Sequence, residues 1–105
     1  MKRITLGFIV SAVLGLAFSF ALAAGDIAKG KALFNDEHFA GGEAGVSCNA
    51  CHPDGQGLEQ AADMENLEAM INKCIEGALK GKAIDVNSEE MSDIVAYINS
   101  LEFPE

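Results

Sequence analysis

Positive charge is scarce in this chain: seven lysines and arginines stand against sixteen aspartates and glutamates over 105 residues. That balance argues against nucleic acid and anionic membrane as partners, because phosphate is bound through Lys and Arg. It suits a basic partner drawn in by long-range, salt-sensitive attraction, and it also serves solubility. Strand signals are missing as well. No run alternates apolar and polar residues, so nothing points to a sheet. There is no internal repeat and no low-complexity tract, which removes repeat architectures. Cysteine numbers only three, an odd count, so a full set of internal disulfides is excluded. There is no second close cysteine pair, which weighs against the usual zinc spacing. No acid–base constellation stands out, so nothing in the residues themselves argues for an enzyme.

The amino terminus is richer in signal. Met1-Lys2-Arg3 is basic, Ile4 to Ala24 is almost wholly apolar, and Ala21-Leu22-Ala23 is a small-x-small cleavage pattern. Residues 1–23 are expected to be a signal peptide, removed after about Ala23. The alternative is an uncleaved membrane anchor, since the run is long enough to span a bilayer. No cysteine follows the cleavage point, which argues against a lipid anchor. Residues 24–105 then form a single mature domain of 82 residues, expected as a monomer in the periplasm or outside the cell. Loss of Lys2 and Arg3 leaves five basic residues against sixteen acidic ones, a net charge of −11. A domain this short buries a modest core and commonly needs a disulfide, metal or cofactor for stability.

Three helices are expected in it. Asp26 can cap the first, Ile27 to Asn35, whose Ile27, Gly30, Leu33 and Phe34 share a face. A Gly-rich loop, "AGGEAGVS", follows, and Pro53, Gly55 and Gly57 mark a later turn. A second helix is expected from about Asp63 to Leu79, with Leu67, Met70, Ile71 and Cys74 on one stripe and Gly77 and Gly81 loosening its end. "IDVNS" connects it to the last. There Asn87 or Ser88 is the cap, and Glu89 and Glu90 sit in the first turn, where the helix dipole favours them. Met91, Ile94, Val95, Ile98 and Leu101 form that helix's apolar stripe, and Pro104 lies beyond its end. The fold class is all-α, three main helices joined by long loops. Such helices do not fill a core easily, and a flat apolar prosthetic group at the centre would fill it.

"VSCNACHPDG", Val46 to Gly55, supplies the means of holding one. Cys48-Asn49-Ala50-Cys51-His52 fits attachment of a c-type haem. Two thiols three positions apart can add across the two vinyl groups of haem as thioethers. The adjacent imidazole of His52 then reaches the iron as proximal ligand. One covalent haem c is the cofactor expected. The rival readings are a dithiol redox motif, which lacks its βαβ context; a structural disulfide, which leaves His52 unexplained; and zinc held by Cys48, Cys51 and Cys74 with His38 or His52.

With this motif in place, the chain resembles the class I cytochromes c over most of the mature domain. "GKALFND" is similar to that family's N-terminal helix, with Gly30 and Phe34 one turn apart, and "DIVAYINSL" to its C-terminal helix, with Tyr97 as the aromatic. The resemblance implies that these two helices cross, the glycine permitting close approach and the rings packing at the crossing. It also implies a carrier of single electrons between redox partner proteins. One departure from the family is plain. Its usual methionine ligand comes from the loop before the last helix, and the matching loop here, "LKGKA", has none.

The sixth iron ligand is therefore open at this stage. "INKCIEGALKGKAIDVNSEEMSDIVAYI" resembles the ligand-bearing stretch of the thiosulfate-oxidising cytochromes, the SoxA and thiosulfate dehydrogenase group. There the cysteine matching Cys74 binds iron. Met70, one turn earlier on the same stripe, Met64 near that helix's start and Met91 in the last helix are the alternatives; a methionine at helical spacing is commonly core packing. His38, among Asp36 and Glu37, reads as a surface residue, and Lys80 or Lys82 would have to lose a proton to ligate. Two further functions stay open beside the carrier: an enzyme or subunit acting on sulfur compounds, and a haem sensor of small ligands. There is no second haem motif.

Overall fold

The computed structural model describes residues 25–103. The expected signal peptide, residues 1–23, lies outside them, as does Pro104. The described chain is all-α, with four helices and no strand. Helix α1 is Ile27–Phe34, α2 Cys48–Cys51, α3 Leu67–Gly77 and α4 Glu89–Ser100. Short 3₁₀ turns lie at Phe39–Gly41, Pro53–Gly55 and Ala61–Asp63. Among the described residues no helix is long and apolar enough to cross a membrane.

Both expected caps form. The Asp26 carboxylate accepts from the Lys29 N–H at 3.0 Å, and the Ser88 hydroxyl from the Met91 N–H at 3.2 Å. Helices α1 and α4 cross at Gly30. A Cβ there would land on the Asp93 carbonyl and within 2.8 Å of the Tyr97 Cβ, so only glycine lets the backbones meet this closely. Beside the crossing, the Phe34 and Tyr97 rings lie 5.2 Å apart at 58°, the tilted arrangement aromatic quadrupoles favour. The buried Asp93 carboxylate ties the same junction by accepting the Asp26 N–H at 2.7 Å.

Two expectations are corrected here. Ile27 is 52% exposed and not part of the core. The contact line along α1 runs through Asp26, Gly30 and Phe34 at i, i+4 spacing, which leaves Ile27 at its border. The second long helix starts at Leu67, not near Asp63. The preceding 3₁₀ turn ends at Met64, whose backbone is extended (ψ 137°), and this breaks the helix.

The connector after α3 is held by side-chain and backbone bonds. The Asn72 amide donates to the Ile84 carbonyl and accepts its N–H, both at 2.9 Å. The Leu79 carbonyl accepts the N–H groups of Glu43 and Ala44, and the Lys82 N–H reaches the Ala40 carbonyl. The methionine-free loop "LKGKA" is thus pinned to the Gly-rich loop that precedes α2.

Candidate haem-attachment site

Helix α2 is a single turn, and its ends are the two cysteines. At i, i+3 spacing Cys48 and Cys51 occupy one side of the turn, with Cβ atoms about 5–6 Å apart in that register. Asn49, between them, accepts the Asp54 N–H at 2.9 Å and so folds the following turn back on the helix. His52 follows as C-cap with a non-helical backbone (φ −127°, ψ 68°), its N–H still bonded to the Cys48 carbonyl. The ring leaves the helix at this point.

The His52 ring is oriented by backbone. Its Nδ1 lies 2.8 Å from the Gln56 carbonyl oxygen. A carbonyl only accepts, so Nδ1 carries the proton and donates. In the neutral ring Nε2 is then the nitrogen with a lone pair free for a metal, and the neighbouring hydrogen bond makes the ring a stronger donor. The chain can turn closely around the ring because Gly55 and Gly57 have φ values of +87° and +92°. A Cβ on Gly57 would stand 3.1 Å from Nδ1, and one on Gly55 would press on Leu101 at 2.6 Å. Gln56 and Asn49 are the residues to which sequence reasoning gave no role. The glycines marked a turn, but nothing in the pattern told which carbonyl the turn would present.

Cys48, Cys51 and His52 open onto one apolar cavity of about 690 Å³, its open mouth included. Phe34, Ile94 and Ile98 of the crossing helices line it. Leu58, Ala61 and Met64 come from the irregular segment, and Leu67, Met70, Ile71 and Cys74 from α3, followed by Ala78 and Leu79. The structure brings Cys74, Met70 and Met64 to the same cavity as the attachment motif. Met91 is not brought there. It is 1% exposed, packed in the core on α4. His38 is an exposed residue outside the cavity lining, and so are Lys80 and Lys82.

The thiols differ in setting. Burial pushes the Cys48 thiol up from 9.0 to about 11. The nearby charges of Cys74 and Cys51 push the same way, and a backbone hydrogen bond opposes them. Cys51 and Cys74 are exposed, and all three cysteines are free.

These residues fit a haem. The cavity lining is almost all apolar, with sulfur and one imidazole as the donors. A tetrahedral Cys₃His zinc set fits less well, since among the described residues no three His, Cys, Asp or Glu side chains are grouped to hold one ion. The chain matches no family model, no curated protein and no solved structure.

Proposed function

We propose that the protein is an exported monohaem c-type cytochrome of the class I type that carries single electrons between redox proteins. The observation that carries this reading is the joint geometry of Cys48, Cys51 and His52. Two thiols sit one helical turn apart beside an imidazole whose Nδ1 is committed to Gln56, all lining one open apolar cavity. Cys48 and Cys51 are the attachment residues, and His52 Nε2 is the proximal donor. The bound haem supplies a one-electron ferric–ferrous couple.

The chain's own residues account for the rest of the task. Phe34, Ile94 and Ile98 keep water from the cavity's inner wall, which steadies the potential of whatever metal centre it holds. The Gln56 carbonyl sets the orientation and basicity of His52. Cys74 is the proposed sixth ligand, from α3, with Met70 and Met64 as the thioether alternatives in the same cavity. A thiolate donates charge and lowers the potential, whereas a thioether raises it.

Mass spectrometry of the mature chain, expressed with a haem-attachment apparatus, tests the reading. One haem should remain bound after denaturation. The optical spectrum should be six-coordinate and low-spin in both redox states and unchanged by carbon monoxide. A colourless or zinc-loaded product overturns the proposal. Ready carbon monoxide binding to the ferrous protein moves it to the small-ligand sensor class.

A further inference from the structure

Much of the cavity lining, from Phe34 to Ile71, comes from the longest stretch of the chain without positive charge. Residues 32–72 contain eight carboxylates and no lysine or arginine. The same stretch supplies Cys48, Cys51, His52 and Met64. Asp54, Glu59, Asp63 and Glu65 are exposed, and each stands within two residues of a cavity-lining residue, as do two exposed lysines on the α3 side, Lys73 and Lys80. Among the described residues the one ion pair is Lys29–Glu89 at 3.4 Å, so none of these four carboxylates is neutralised by a lysine. At the mouth itself the surface is apolar. Met64 and Met70 are 37% and 39% exposed there. An apolar centre within a charged rim is the layout of a protein–protein contact, and thioethers adapt readily to a partner's shape.

We propose that this mouth is the docking surface for a basic redox protein, which seats apolar surface on Met64 and Met70 and sets lysines against Asp54, Glu59, Asp63 and Glu65. The inference rests on the electron-carrier reading and adds to it where the partner sits and what sign it bears. A second copy of this chain is a poor occupant, because it would bring the same uncompensated carboxylates to the contact. With Cys74 on the iron, both methionines are left for the partner.

The test compares two charge-matched triple variants of the haem-loaded protein. One is Glu59→Gln/Asp63→Asn/Glu65→Gln at the mouth, and the other is Glu37→Gln/Glu90→Gln/Glu102→Gln away from it. Each is reduced, then oxidised by tris(phenanthroline)cobalt(III), a trication, or by hexacyanoferrate(III), a trianion, at low salt. The mouth variant should lose roughly tenfold in rate with the cation and gain with the anion. The distant variant should change far less. Amide shifts on adding tetralysine should fall on residues 54–70. Equal effects from the two triples, or shifts spread evenly over the surface, overturn the proposal, as does a concentration-dependent dimer lost in the mouth variant. If the chain holds no haem, the electron-carrier reading fails by mass. The tetralysine titration of that same chain still decides whether this face takes a basic ligand.

Discussion

At the scale of single residues, the three thiols are not equivalent. Only the thiolate attacks an alkylating agent. A thiol raised from 9.0 to about 11 carries about a hundredfold less thiolate near neutral pH, at a factor of ten per unit. In the haem-free chain Cys48 should therefore be the slowest of the three cysteines to react with iodoacetamide at pH 8. Its rate should still be climbing past pH 10. Peptide mapping of the labelled protein reads this, and a Cys48 that labels as fast as Cys51 contradicts the burial assigned to it. In the loaded protein the test falls on Cys74. Cys74→Ser should abolish the ferric thiolate signature in electron paramagnetic resonance and the matching near-infrared band, while Met70→Leu and Met64→Leu keep both. An unchanged Cys74 variant beside a high-spin methionine variant would make Cys74 a packing residue and the carrier an ordinary His/Met one.

At the scale of elements, the contact of α1 with α4 is the junction most sensitive to a single atom. Alanine is the better helix former by about 1 kcal/mol. At Gly30, though, the added methyl meets the Asp93 carbonyl, and overpacking of this kind costs about 1–3 kcal/mol as the helices part. Gly77, also helical, has nothing within 4 Å of the same added atom. The two substitutions should thus have opposite signs. Gly30→Ala should lower Tm by several degrees, and Gly77→Ala should raise it slightly. Thermal melts followed by circular dichroism decide the matter; equal, small shifts would mean the crossing is looser than its geometry indicates.

At the scale of the whole molecule, a small buried core lies against one open apolar cavity. A single core in a domain of this size supplies about 3–5 kcal/mol, so the group that fills the cavity is expected to be a large part of the stability. Cys48→Ala/Cys51→Ala would prevent the proposed covalent attachment and leaves every residue of the crossing helices unchanged. Loss of about 3 kcal/mol should lower Tm by roughly 12–24 °C. The variant should also bind a dye specific for exposed apolar surface and lose its sharp transition. A cooperative melt at the parent temperature would show that the helices hold themselves together.

Local chemistry made much of this legible from the residues alone. The caps at Asp26 and Ser88 and the length of α4 depend on groups one turn apart. The meeting of Gly30 with the helix that carries Tyr97 was implied by the family resemblance, and a residue without a side chain suits so close an approach. The spacing of Cys48, Cys51 and His52 made haem attachment the expected chemistry, because i, i+3 positions put both thiols on one side of a helical turn with the imidazole next to them. Other features were decided by the tertiary structure. Ile27 and Phe34 look alike in periodicity, yet only the path of α4 across α1 buries one and exposes the other. Met91 and Met70 are both methionines on apolar stripes, and the packing of α4 closes one into the core while α3 leaves the other at the cavity. The Gln56 carbonyl acquires its role only when Gly55 and Gly57 turn the backbone under the His52 ring. A contact between neighbours in sequence follows from local geometry, whereas a contact between distant segments depends on how every element has packed.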